Sequence, residues 1–150
     1  MKIAIASDHA GFIMKEQIKE YLQNSGYSYY DFGAFSESPV DYPDMAYLAA
    51  QAVQKGDYER GIIICGTGIG VCIAANKLRG IRAAHCGEAY SAQCSREHND
   101  ANILTIGARV TGIGVALDIV RTFIETPFAG GRHSARLEKI RAIEKKVFSE

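Results

Sequence analysis

The stretch Gly61-Ile62-Ile63-Ile64-Cys65-Gly66-Thr67-Gly68-Ile69-Gly70 narrows the folds open to this chain more than any other. Consecutive isoleucines leave no polar face, so the segment reads as a buried strand. The strand ends in a cysteine, and the cysteine opens a loop with glycine at every second position. Backbone N–H groups in such a loop can approach an anion closely. A thiol at that junction stands where an α/β fold places its chemistry.

The rest of the chain alternates strand-like and helix-like segments. Short apolar or aromatic runs predict strands over 3–7, 27–32, 62–65, 81–86 and 103–106. Apolar spacing of helical period predicts helices over 11–24, 43–54, 69–78, 88–97, 112–125 and 134–147. Pro43 suits the first turn of the second helix. Strands separated by helices imply an α/β fold, a parallel sheet with helices on both faces. With 150 residues and no linker, the chain reads as a single domain, 1–150.

Charge and cysteine usage exclude several classes. Seventeen basic and 17 acidic side chains balance to zero, so neither nucleic acid nor a membrane surface is expected as a partner. No apolar stretch approaches the ~18 residues of a membrane span, and the first residues turn polar too soon for a signal peptide. Cys65, Cys72, Cys86 and Cys94 form no C-x-x-C pair and no metal-ligand spacing, so no metal is expected. Free thiols without a leader predict the cytoplasm.

In a parallel sheet of this kind ligands bind beyond the carboxyl ends of the strands, at a reversal of strand order. Asp8 and His9, Cys65 with its glycine loop, and Gly107 to Arg109 would therefore converge on one crevice. Cys65 reads either as a small buried apolar residue or as a reactive thiol favoured by the helix N-terminus behind it. Cys72, Cys86 and Cys94 lack that setting and read as structural. The glycine loop fails the G-x-G-x-x-G fingerprint because position 71 is Val71, and no Gly-Lys-Ser/Thr makes it a P-loop. It reads as an anion hole built from N–H groups and the Thr67 hydroxyl, or as a tight turn.

Asp8 suits the N-cap of the first helix. His98-Asn99-Asp100 reads as a polar connection or as a source of acid–base chemistry. His85, inside a strand, reads as a packing residue. Arg132 and Arg136, four apart, would share one helix face and suit a phosphate dianion, and Arg109 is a third cation for the same anion. The alternative is a solvated basic face. A thiol, an anion hole, a histidine and a phosphate clamp fit proton abstraction beside a carbonyl better than covalent attack. The clamp implies a small phosphorylated substrate held at its far end.

Asp8-His9-Ala10-Gly11, Asp41-Tyr42-Pro43, Ile64-Cys65-Gly66-Thr67-Gly68-Ile69-Gly70 and Tyr90-Ser91-Ala92 occur in that order. His98-Asn99-Asp100-Ala101-Asn102, Gly107-Ala108-Arg109 and Gly130-Gly131-Arg132-His133-x-x-Arg136 follow them. Together these motifs resemble the RpiB/LacAB family of sugar-phosphate isomerases across nearly the whole chain. The resemblance implies a three-layer α/β/α, Rossmann-like sandwich with a five-stranded parallel sheet and no cofactor. It implies interconversion of ribose 5-phosphate and ribulose 5-phosphate through a cis-enediolate, a step of the pentose phosphate pathway.

Carried onto this chain, the resemblance makes Cys65 the base and His98 the acid that opens the sugar ring, with Asp8 assisting. Thr67 and the amides of Gly66, Gly68, Ile69 and Gly70 would stabilise the enediolate. His9, Arg109, Arg132 and Arg136 would bind phosphate with His133 nearby. Asn99 would bond the sugar, and Tyr42 would line the pocket. It also implies a homodimer or homotetramer with the active site at a subunit interface, to which the helix over 134–147 contributes. Alternatives are allose 6-phosphate or galactose 6-phosphate as substrate, a non-catalytic sugar-phosphate binding module, and a covalent thiol hydrolase.

Overall fold

The computed structural model describes residues 1–148. Among them run strands β1 (Lys2–Ser7), β2 (Ser28–Asp31), β3 (Arg60–Cys65), β4 (Ala83–His85) and β5 (Ile103–Gly107). The helices are α1 (Phe12–Asn24), α2 (Tyr42–Gln54), α3 (Ile69–Ala75), α4 (Ala89–Glu97), α5 (Ile113–Glu125) and α6 (Arg132–Val147). The strands form one parallel sheet in the order β2-β1-β3-β5-β4. After β2 the chain crosses back over β1 to lay β3 on its other side, and this reversal opens a crevice at the carboxyl ends of β1 and β3.

The isoleucine run is explained by the two faces of the sheet. Ile62 and Ile64, with Ile3, Ile5, Leu104 and Ile106, pack on one side against Ile18 and Leu22 of α1 and Ile119 and Phe123 of α5. Ile63 and Cys65 point the other way, among Ala46, Ala49, Ala50 and Val53 of α2 and Val71 and Ala75 of α3. Each isoleucine buried in this way contributes about 1.5–3 kcal/mol. The result is the α/β/α sandwich, with α6 added on its outside. Only His133 and Leu137 of α6 are buried, whereas Ile143 and Val147 are 61% and 70% exposed.

Several boundaries differ from the sequence reading, each for a local reason. β4 is shorter than 81–86 because side-chain amides take its first donors: Arg82 N–H goes to Asn102 Oδ1 at 2.8 Å and Ala83 N–H to Asn76 Oδ1 at 2.8 Å. That use of Asn76 also stops α3 at Ala75 rather than at 78, and Lys77 and Leu78 continue in tighter turns. α6 begins at Arg132, two residues before the expected 134, so Arg132 and Arg136 both lie in its first turns. Asp8 is not the N-cap of α1. Gly11 holds that position, and Asp8 Oδ1 accepts the Gly11 N–H at 3.0 Å from the turn before it. His85 is exposed at the end of edge strand β4 and packs on the glycine loop rather than in the core, its Nδ1 2.5 Å from where a Cβ on Gly68 would stand.

Candidate active site

Three strand ends are tied together by backbone bonds at the crevice. Asp8 N–H donates to Ile64 O at 3.1 Å, Ala108 N–H to Cys65 O at 2.8 Å, and Arg109 N–H to Gly66 O at 2.9 Å. Asp8, His9, Cys65 and Arg109 are therefore neighbours, as the strand reversal predicts. Cys65 is 5% exposed, and its Sγ accepts the Gly68 N–H at 3.1 Å. A donor aimed at sulfur is what a thiolate requires.

The glycine loop is held rigidly. Gly68 has φ of 78°, and its carbonyl accepts the buried Thr105 hydroxyl at 2.8 Å. A Cβ on Gly107 would stand 2.5 Å from the Thr67 carbonyl, so the loop rests directly on the β5 backbone. Thr67 itself is exposed, and its Oγ1 accepts the Ile69 N–H at 3.3 Å. Arg109 lies over Gly66, with Nη1 3.2 Å from where a Cβ would be. The Tyr42 ring covers Gly70 in the same way, at 2.7 Å. His9 is held by Val40, its Nδ1 3.2 Å from the Val40 amide nitrogen and 3.3 Å from the Val40 carbonyl oxygen.

The remaining residues lie elsewhere in the chain. α4 runs back from the carboxyl end of β4, so His98, its C-cap, sits at the amino end of the sheet. Backbone bonds there join Asn102 to both Gly61 and Arg82, at 2.8 and 3.0 Å. His98 stacks on His133 at the start of α6, with centroids 4.4 Å apart, and Arg132, Arg136 and Asn99 flank the pair. β3 has six residues and spans about 17 Å at ~3.3 Å per residue. One chain therefore presents two half-sites: Asp8, His9, Tyr42, Cys65, Gly66 to Gly70 and Arg109 at one end of the sheet, and His98, Asn99, Arg132, His133 and Arg136 at the other.

Burial of His133, then the nearby His98, Arg132 and Arg136, hold its imidazole below the ordinary histidine range. Burial also pushes the Cys86 thiol up to about 11, which keeps it protonated. Cys72 donates weakly to Ala83 O at 3.5 Å. Sequence reasoning missed Val40, which orients His9, and Thr105, which pins the loop; neither carries a motif of its own. It quoted Asp100 without a role, although its place beside His98 and Asn99 was the available signal.

The crevice of this parallel α/β sandwich thus holds a thiol beside a rigid N–H loop, with Arg109 lying over the first glycine of that loop. The chain matches the Ribose/Galactose Isomerase family over residues 3–140. It belongs to that family of sugar-phosphate isomerases. It is 48% identical to ribose-5-phosphate isomerase B of Escherichia coli, covering 97% of each chain. It is 44% identical to a D-erythrulose-4-phosphate isomerase of Pectobacterium atrosepticum, covering 93% of each. The solved ribose-5-phosphate isomerase B of Clostridium thermocellum superposes with a TM-score of 0.96 at 54% identity, covering 98% of this chain and 99% of that one.

Proposed function

We propose that this protein interconverts ribose 5-phosphate and ribulose 5-phosphate. The observation that carries the reading is Cys65, its sulfur bonded to the Gly68 N–H in a loop whose first glycine, Gly66, is covered by Arg109. His98 protonates the ring oxygen and opens the furanose, while Asp8 holds a sugar hydroxyl. The Cys65 thiolate takes the proton from C2, and the electron pair moves to the carbonyl oxygen at C1. Thr67 and the amides of the 66–70 loop bind the enediolate oxygens. The proton returns to C1 while the hydroxyl proton passes from O2 to O1 and the C2 oxygen becomes the carbonyl, so no atom is gained or lost. His9, Arg109, Arg132 and Arg136 hold the phosphate, with His133 nearby, and Asn99 and Tyr42 line the sugar.

The two half-sites support a homodimer, or a homotetramer built from two such dimers, in which Cys65 of one copy meets His98 of another. The apolar side chains Ile69 and Ile73 on α3 and Ile143 and Val147 on α6 are exposed and suit burial against that second copy. The free thiols favour the cytoplasm. The relative that acts on a four-carbon phosphate favours one second reading, a substrate of different length.

Turnover of ribose 5-phosphate, D-erythrulose 4-phosphate and allose 6-phosphate, measured side by side for wild type and Cys65→Ala, tests both points. The expected result is highest kcat/KM on ribose 5-phosphate and loss of at least about 100-fold in Cys65→Ala, the usual contribution of a positioned base. Full activity in Cys65→Ala would remove the thiol from the mechanism.

A further inference from the structure

Asp100 is the one described residue other than glycine with positive φ, at 45°. It follows directly on His98 and Asn99, and it sits between two arginines. Arg82 Nη2 donates to Asp100 Oδ2 at 3.2 Å, and Arg96 Nη1 lies 2.9 Å from Asp100 Oδ1. Arg82 also grips the turn by its backbone: Nε donates to Asn99 O at 3.0 Å and Nη2 to Asp100 O at 2.9 Å. Arg96 is 2% exposed, donates to Ala101 O at 2.5 Å and stacks on the Phe123 ring at 5.8 Å.

This is more hardware than a connection needs. A left-handed backbone costs a residue with a Cβ about 1 kcal/mol or more. Two guanidinium groups share one carboxylate, and burial together with Arg96 depresses the third nearby cation, Arg60. Such an arrangement fixes the turn, because each planar guanidinium bonds several of its groups at once. The turn it fixes carries His98.

We propose that Arg82 and Arg96, acting through Asp100, are positioning residues for His98, so that they govern ring opening and leave proton transfer at Cys65 untouched. The proposal rests on the isomerase reading above. It separates the two chemical steps because ribulose 5-phosphate has no ring to open: the hydroxyl that would close it, O5, carries the phosphate. Exchange of its C1 proton with heavy water needs the base and the enediolate hole alone. Conversion of ribose 5-phosphate needs the acid as well.

The experiment compares these two rates in wild type, Asp100→Gly and Arg82→Met, with Arg82→Lys as the conservative variant. Glycine accepts the left-handed backbone freely, so Asp100→Gly removes the carboxylate without straining the turn. The ratio of the two rates does not depend on the fraction of protein that folds. We expect conversion of ribose 5-phosphate to fall about tenfold, part of the ~100-fold or more that a well-placed acid supplies, while C1 exchange stays within about twofold. Arg82→Lys should recover part of the loss. Equal loss of both rates, or no loss of either, overturns the positioning role. A wild type that converts neither sugar overturns the isomerase reading itself.

Discussion

The imidazole of His98 lies nearly parallel to that of His133, tilted by 15°. His133 is buried and faces Arg132 and Arg136, so its folded form resists protonation. Its folded pKa lies below the unfolded value of 6.5, so the unfolded chain binds the extra proton first as pH falls. Its contribution to stability is therefore whole above 6.5 and declines below it, down to the folded pKa. Thermal midpoints recorded from about pH 8 to about pH 5 should drop on the acid side in wild type and drop less in His133→Phe, which keeps the ring but cannot titrate. Parallel curves for the two proteins would contradict this.

A second prediction concerns Lys15, which is wholly buried with its ammonium 2.6 Å from Asp31 Oδ1 and 2.6 Å from Ala34 O. Burial pushes the Asp31 carboxyl up, but bonds from Lys15 and Lys19 outweigh it and hold the group below its ordinary range. Asp31→Asn leaves the buried Lys15 ammonium with Glu16, 3.7 Å away and half-exposed, as its remaining counter-charge and should cost about 3 kcal/mol in urea unfolding. Lys15→Met, which removes the charge and keeps the stem, should cost clearly less. The same bonds tether the start of the loop that carries Val40, so Asp31→Asn should also raise KM.

Gly107 offers a steric test of the loop. Its missing Cβ would meet backbone rather than a movable side chain, whereas a Cβ on Gly87 would meet nothing within 4 Å. Gly107→Ala should cost about 1–3 kcal/mol and most of the activity, since the Thr67 carbonyl must shift. Gly87→Ala should be close to wild type in both thermal midpoint and kcat. If Gly107→Ala kept full kcat, the loop would be softer than its contacts imply.

Mixing provides the sharpest test of the two half-sites. Cys65→Ala and His98→Asn should each be inactive alone. After unfolding and refolding together in equal amounts, about a quarter of the sites should regain both groups by random pairing of a twofold dimer. No recovery, in a mixture shown to contain mixed dimers, would place base and acid in one chain.

The sheet, its helices and the thiol were legible in the sequence because each rests on local pattern: isoleucine runs, helical spacing and alternate glycines. The late start of β4 and the early end of α3 were not legible, because Asn76 and Asn102 spend their side chains on backbone groups outside their own elements. The packing of His85 was legible, but its exposure was not. Strand membership does not reveal that β4 is an edge strand. The separation of Cys65 from His98 follows from topology alone, since a helix after a parallel strand must return to the strand's start. That rule needs the strand order, which single-sequence pattern does not supply.

A six-residue strand holding Cys65 at one end and His98 near the other behaves as a spacer. On the two-chain reading, no isolated copy can close the gap, however well it folds. Activity then becomes a matter of encounter: dilution below the association threshold would silence the chemistry while every helix and strand stayed in place.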